Sequence, residues 1–344
     1  MADFFQLSPE ERLEVLGVAA TASGRPLHLL EKDIWVVWTL QALFASKHGA
    51  HLVFKGGTSL SKAYGVIGRF SEDIDLTYDI REIAADLIEK SGSAVPGTKS
   101  QAKRWSDEIR ERRLPALVKE QIAPVLEDAI RANKMPAKVI VEDEKIYLEY
   151  EPLVREGYGY VKPRVMLEFG ARATGEPNEP RDIVCDAAPH VSGVTFPTAR
   201  PRVMLPERTF WEKATAIHVF CRGGKLRGDR IARHWHDLTR LDAAGYAASA
   251  IANKELAKDV ANHKTAFFAE KDKDGGAIDY YEAINGSLVL VPTANELAVL
   301  TEDYKGMVAD GLLLEEAPLF ERVIQQCQAI QNNANKANGT PKKE

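Results

Sequence analysis

Cysteine is scarce in this chain of 344 residues: Cys185, Cys221 and Cys327 lie far apart with no Cys-x-x-Cys pair, which argues against a disulfide framework or a cysteine zinc site. Histidine offers no zinc pattern either, because His218 falls on a different predicted helix from His234 and His236, and no His-Glu-x-x-His occurs. No Gly-Lys-Ser/Thr follows a glycine loop, no Gly-x-Gly-x-x-Gly is present, and no Gly-x-Ser-x-Gly elbow is found. These absences remove the P-loop, the dinucleotide fingerprint and the serine-hydrolase elbow. No stretch of eighteen apolar residues exists, and the opening MADFFQLSPEERLEVL holds acids where a secretion signal needs an apolar run. A cytoplasmic protein with no membrane partner is expected. Basic residues do not dominate either: a net charge of −5 argues against a chain built wholesale to coat nucleic acid.

What is present is concentrated in FKGGTSLSKAYGVIGRFSEDIDL, residues 54–76. HLVF, from His51 to Phe54, predicts a buried strand, and Lys55-Gly56-Gly57-Thr58-Ser59 turns from it into a helix that starts near Leu60. Glycine lets the backbone approach a ligand, and the free N–H groups of a helix start favour phosphate. Fourteen residues after Ser59, Asp73-Ile74-Asp75-Leu76 alternates polar with apolar, as a strand with both carboxylates on one face requires. Carboxylates two residues apart on a strand, roughly 6.5–7 Å between Cα atoms, can share one or two divalent cations. Each part alone is more often just a tight turn or a solvated strand end. Together, a phosphate cradle and a metal-binding acidic pair are the equipment for moving a nucleotidyl group.

These residues resemble a family. Gly56, Gly57, Thr58, Ser59 and Leu60, then Arg69, Ser71, Asp73 and Asp75, match the pattern of the AbiEii/AbiGii toxins of abortive-infection, type IV toxin–antitoxin systems, a branch of the polymerase-beta-like nucleotidyltransferase superfamily. The interval from glycine turn to first acid is longer than the superfamily's usual one, and an interval with an intervening arginine is what this branch shows. Further on, Lys213, Ala214, Arg233, His234, Asp237 and Leu238 fall in the order of the family's second motif pair. The resemblance implies that Lys213 contacts a triphosphate and that Asp237 completes the site. Trp235-His236 departs from the two aromatics common in relatives, which bears on local packing. Glu31-Lys32-Asp33 is similar to the family's helix start, as part of the nucleotide pocket or as a helix cap.

Glu168, in Pro163-Arg164-Val165-Met166-Leu167-Glu168-Phe169, is the candidate third carboxylate. A strand paired beside the Asp-x-Asp strand would bring it to the same pocket, as metal ligand or as general base. The expected catalytic set is therefore Asp73, Asp75, Glu168, Lys213 and Asp237. Lys55, Gly56, Gly57, Thr58, Ser59, Arg69, Ser71 and Lys213 are expected to bind nucleotide, and Asp73, Asp75 and Glu168 to hold Mg²⁺ or Mn²⁺.

Elsewhere, apolar spacing predicts helices over about 8–22, with Ser8, Pro9 and Glu11 as a capped start, and over 28–47. GSAVPG at 92–97 breaks the chain, and 100–133 reads as helix interrupted at Pro115 and Pro124. Residues 138–151 alternate as one or two strands, Gly157-Tyr158-Gly159 turns toward the strand at 163–169, and 170–205 reads as Pro-rich loop with one short strand. From Pro206 the pattern is helical, and the polar tail from Gln331 reads as disordered. The expected fold class is α+β: a nucleotidyltransferase-type mixed sheet with flanking helices over 1–205, a helical C-terminal lobe over 206–330, and a tail over 331–344.

Two segments are locally basic. Residues 99–119 hold seven basic and three acidic residues, and 222–233 hold five and one, which fits an RNA-facing surface or simply solvated helix faces. By resemblance the donor is a nucleoside triphosphate, the acceptor an RNA such as the tRNA 3′ end, and a cognate winged-helix antitoxin a partner. Transfer to a small molecule or a protein, or nucleotide binding with little turnover, are the competing readings.

Overall fold

Ile146, Leu148 and Tyr150 are buried while Lys145, Tyr147 and Glu149 are only half-buried, the period of two that a strand with one covered face requires. Val165, Leu167 and Phe169 repeat it, with Arg164, Met166 and Glu168 turned the other way. In this computed structural model, which describes residues 1–71, 73–154, 161–223, 231–309, 312–313 and 316–338, these strands belong to a seven-stranded mixed sheet. In chain order its strands are β1 (Leu52–Lys55), β2 (Ile74–Asp79), β3 (Ala137–Glu142), β4 (Lys145–Tyr150), β5 (Arg164–Ala173), β6 (Asn178–Pro180) and β7 (Arg202–Met204). Their order in space is β3-β4-β5-β2-β1-β7-β6. β2 runs parallel to β5 and β7 parallel to β1, and the other neighbours are antiparallel.

The chain divides into two units. Unit 1 takes Met1–Ala63, Ser71–Lys90 and Asp107–Met204 and contains the whole sheet. Its first helix, α1 (Pro9–Ser23), starts at the expected capping box, with Ser8 and Glu11 bonded reciprocally. α2 (Leu27–Phe44) is buried along nearly its whole length and packs on β5. Its Trp35 ring stacks on Tyr150 of β4, centroids 5.0 Å apart.

Three expectations for unit 1 change. Residues 170–205 are not loop with a single strand: β5 extends to Ala173, β6 and β7 follow, and Ile183–Val184 pairs with Thr198–Ala199 while Val194–Thr195 pairs with Ala2–Asp3. Pro180 is tolerated because β6 is the sheet's edge, where a missing N–H breaks no ladder. Pro115 and Pro124 do not interrupt their helix. A widened turn precedes each, at Ile109–Arg113 and Val118–Ile122, and its i→i+5 bonding absorbs the lost donor. The third change concerns the helix after β1. It is α3 (Gly56–Lys62), so it starts four residues before Leu60 and the two glycines form its first turn. The expected turn at Gly157-Tyr158-Gly159 lies outside the described residues.

Unit 2 takes Tyr64–Phe70, Ser91–Ser106 and Leu205–Glu344. Its helices Pro206–Gly223 and Arg233–Ala243 bring Trp211 and Trp235 into a core where neither indole is exposed, and each N–H finds a carbonyl, Ala250 at 2.9 Å and Leu290 at 2.8 Å. The last helix, Phe320–Asn338, corrects the expected tail from Gln331. Cys327, Ile330 and Ala334 give it a buried stripe, and its polar residues are partners rather than solvent-facing: Gln331 accepts the Leu290 N–H at 2.7 Å, and Asn335 bonds both the N–H and the carbonyl of Leu288. Residues 339–344 lie outside the described set. Among the described residues no helix is long and apolar enough to cross a membrane.

Candidate active site

Register brings four charged residues into one row across the sheet of unit 1. Lys55 on β1 stands opposite Asp75 on β2, Asp75 opposite Glu168 on β5, and Glu168 opposite Lys145 on β4. Directly opposed residues share a face, with neighbouring strands about 4.8 Å apart. Asp73 stands two residues before Asp75, just ahead of β2. Glu168 is exposed, its side chain 47% accessible, and Lys145 Nζ lies 3.1 Å from its Oε2. Burial would lower the Lys145 ammonium, but the hydrogen bond and charge of Glu168 raise it. Sequence reasoning missed Lys145, whose role follows only from the β4–β5 register.

The glycine turn meets this row at Asp75. Gly56 has φ +79°, a left-handed conformation, and a Cβ built on it would fall on Asp75 Oδ2. Only glycine fits there. Thr58 and Ser59, expected to face a triphosphate, are turned inward and fully buried. Thr58 Oγ1 bonds Ser71 Oγ at 2.9 Å and the Asp73 carbonyl at 2.5 Å, and Ser59 Oγ donates to the Gly56 carbonyl at 2.9 Å. With α3 starting at Gly56, these hydroxyls tie the turn to the segment entering β2. They therefore fix Asp73 relative to the glycines.

Hard oxygen donors are what a magnesium or manganese ion takes, and Asp73 and Asp75 are half-buried carboxylates that supply them. Among the described residues no three His, Cys, Asp or Glu side chains form a ready cage. An acidic pair of this kind suits Mg²⁺, which is commonly held by one or two carboxylates together with substrate phosphates.

Glu31, Lys32 and Asp33 are buried on α2 and cap nothing, since Pro26 is the residue at the helix start. Glu31 accepts the Leu153 N–H at 3.0 Å and Lys32 donates to the Lys162 carbonyl at 3.0 Å. Asp33 takes the Lys62 ammonium at 2.6 Å and the Asp186 N–H at 2.6 Å, and Asp186 in turn bonds Lys62 and Arg25. This network joins α2, α3 and the 186 loop, and so holds the helix that carries the glycines.

Unit 2 contains the second motif pair. Asp237 has no accessible side-chain surface and is clamped by Arg69, with Nε at 2.7 Å and Nη2 at 2.8 Å, and by Lys213 Nζ at 2.8 Å. Burial alone would raise the Asp237 carboxyl, but Arg69 and Lys213 overcome it and hold it well below the usual range. Burial lowers the Lys213 ammonium, against the pull of Asp237. Asp237 is thus a counter-ion whose oxygens are occupied by cations, and Arg69, expected at the nucleotide, is its bidentate partner. The long interval between glycine turn and acidic pair is accounted for as well, because Tyr64–Phe70 belongs to unit 2, with the Phe70 N–H on the Leu312 carbonyl at 2.6 Å.

In the basic segments, Arg113 is held by Asp86, by Glu108 and by the Ile83 carbonyl, so it is a structural cation. Arg112 is 77% exposed beside Glu108. Arg227 and Arg230 lie outside the described residues.

A mixed sheet carrying an acidic pair, with a glycine pressed against the second acid, suits the nucleotidyltransferase class, and the family match establishes that class. The family model for the nucleotidyl transferase AbiEii toxin of type IV toxin–antitoxin systems matches residues 38–326, and the chain belongs to that family. Among solved structures, it is similar to MenT4, a nucleotidyltransferase toxin from Mycobacterium tuberculosis H37Rv, at 16% identity and a TM-score of 0.39 over 97% of this chain and 100% of that one. It is also similar to JHP933 from Helicobacter pylori, at 14% identity and a TM-score of 0.38 over 91% of this chain and 93% of that one. No curated protein sequence matches it.

Proposed function

We propose that this toxin transfers a nucleotide from a nucleoside triphosphate to the 3′ hydroxyl of an RNA in the cytoplasm, with tRNA as the acceptor whose loss blocks translation. The carrying observation is the row Lys55–Asp75–Glu168–Lys145, met at Asp75 by Gly56. Family membership supplies the nucleotidyl-transfer chemistry and the antitoxin partner; the RNA acceptor and a winged-helix form for that antitoxin are our reading.

Asp73 and Asp75 are the residues that would hold Mg²⁺, while Glu168, opposite Asp75 but paired with Lys145, serves as the general base. Bound there, the ion would lower the pKa of the acceptor hydroxyl and offset charge on the α-phosphate and departing pyrophosphate. The chain's own groups supply the rest. The Gly56-Gly57 turn leaves room for phosphate oxygens at the backbone, and Lys55 adds a point charge beside Asp75. Lys213 is the further cation we assign to the triphosphate, positioned by Asp237, while Arg69 and Arg233 nearby leave that cluster with surplus positive charge. The acceptor hydroxyl gives its proton to Glu168, its oxygen bonds the α-phosphorus as the bond from that phosphorus to the oxygen bridging the β-phosphate breaks, and pyrophosphate leaves.

Incubating the full chain with Mg²⁺, total RNA and each α-labelled nucleoside triphosphate tests this reading. Label should enter RNA with the parent and not with Asp75→Asn, which should fold normally because it removes one of several neighbouring carboxylates. Label appearing only on protein or small molecules would overturn the RNA assignment.

A further inference from the structure

The sheet face that carries the acidic row also carries an aromatic residue that the chemistry above does not use. Tyr147 of β4 sits two residues from Lys145, opposite Met166 of β5 and Ile140 of β3, and all are on the face away from the buried Ile146, Leu148, Val165 and Leu167. The Arg164 guanidinium lies over the Tyr147 ring, 4.5 Å from its centroid. Neither residue is buried. A cation on an aromatic face is a modest interaction in water, and the pair sets an aromatic ring beside a positive charge, the two features that suit a planar heteroaromatic ring joined to a phosphate.

Position along the sheet says which base. In an in-line displacement the attacking hydroxyl approaches the α-phosphorus from the side opposite the leaving pyrophosphate. The glycine turn, assigned to the triphosphate, follows β1 on one side of Asp75. The opposite side is β5 and then β4, so Tyr147 lies two strand spacings across and two residues along from Asp75, roughly 12 Å between Cα atoms, on the acceptor's side.

We propose that Tyr147 and Arg164 form a stacking platform for the unpaired terminal nucleobase of the RNA acceptor. The inference rests on the reading of the row as a nucleotidyl-transfer site and names how the acceptor end is held there. Stacking tolerates any base, so the platform fixes the position of the end and leaves sequence choice to other contacts. Arg164 contributes a planar cation that lysine cannot replace.

The test uses the full chain and a 12-nucleotide single-stranded RNA with 2-aminopurine as its 3′-terminal base, without nucleoside triphosphate. Stacking quenches this fluorophore. The parent, Tyr147→Phe and Tyr147→Trp should quench it, whereas Tyr147→Ala should weaken binding about tenfold or more and lose the quenching. Arg164→Met should reduce it and Arg164→Lys should not restore it, which gives a second route if Tyr147→Ala fails to fold. In the transfer assay Tyr147→Ala should raise KM for RNA without changing KM for the triphosphate, a split that a merely structural pair would not produce. No quenching by the parent, or equal quenching by folded Tyr147→Ala, overturns the platform. Asp75→Asn separates the two readings: it should quench as the parent does while failing to transfer. Transfer without quenching sinks the platform alone, and quenching without transfer sinks the proposed reaction.

Discussion

Gly56 and Asp75 meet without room for a side chain between them, since a β-carbon on Gly56 would occupy the position of Asp75 Oδ2. Gly56→Ala must therefore move the carboxylate as well as strain a backbone at φ +79°. Misplacing a reacting group by an ångström costs about a hundredfold in rate, so transfer should fall by about two orders of magnitude. The loss of stability should be about 1–3 kcal/mol, the cost of a non-glycine residue held in a left-handed conformation. Gly65 supplies the control: it also has positive φ, at +62°, but open space around it. Gly65→Ala should lose similar stability by chemical denaturation and keep its activity, and a fully active Gly56→Ala would show that Asp75 has no fixed position to lose.

Asp237, itself without accessible side-chain surface, balances Arg69 and Lys213, and the Lys213 side chain keeps 10% of its surface accessible. Asp237→Asn leaves two buried cations without their carboxylate and should destabilise the protein by about 3–5 kcal/mol. Lys213→Met should cost clearly less, because Arg69 keeps both of its bonds to Asp237. Its kinetic effect should be the larger one, a raised KM for triphosphate that Lys213→Arg partly restores. Urea melts of the three variants beside initial rates decide this. Equal destabilisation by Asp237→Asn and Lys213→Met would contradict the counter-ion reading.

The strand, glycine turn and acidic strand were legible because each rests on local spacing: alternation set the face of Asp75, and diglycine marked the turn. Local alternation likewise put Glu168 on a strand, and the sheet register sets it opposite Asp75. Lys145 and Tyr147 were not assigned roles, because a cross-strand partner depends on how two strands slide past each other, which spacing within one strand does not encode. The direction of the Thr58 and Ser59 hydroxyls was misjudged through the helix start, since four residues of helix turn side chains through more than a full revolution. Arg69 and Asp237 are 168 residues apart, and nothing in either neighbourhood announces the other. The C-terminal helix was hidden by composition, because the asparagines and glutamines that suggested disorder serve as hydrogen-bond partners for irregular backbone.

His218 is buried, accepts the Val289 N–H through Nδ1 at 3.1 Å, and is pushed down to about 4, mainly by burial and further by Arg222. In the unfolded chain the same imidazole titrates near 6.5. The folded state therefore resists the proton that the unfolded state takes up. His218 stability is fully present above about pH 6.5 and is lost as pH falls toward 4, by an amount on the order of 3 kcal/mol. His218→Gln keeps an acceptor for Val289 and does not titrate, so its stability should lose less between pH 7 and pH 4. Parallel pH dependence of parent and variant in urea melts would mean that His218 is protonated in the folded protein.

Truncation tests the last helix. If residues from Gln331 onward were a disordered tail, removing them would leave stability unchanged. The structure assigns them otherwise: Gln331 and Asn335 satisfy the backbone of Leu290 and Leu288, and the Leu290 carbonyl receives the buried Trp235 indole N–H at 2.8 Å. Ending the chain at Ile330 removes three side-chain bonds to that segment and uncovers Ala334's contact face, and each unsatisfied buried backbone group costs about 1–3 kcal/mol. The truncated protein should lose several kcal/mol, with a red-shifted tryptophan emission as Trp235 gains water. Asn335→Ala alone should cost about 1–3 kcal/mol by leaving both polar groups of Leu288 without their partner. An unchanged melt for the chain ending at Ile330 would return these residues to the status of a tail.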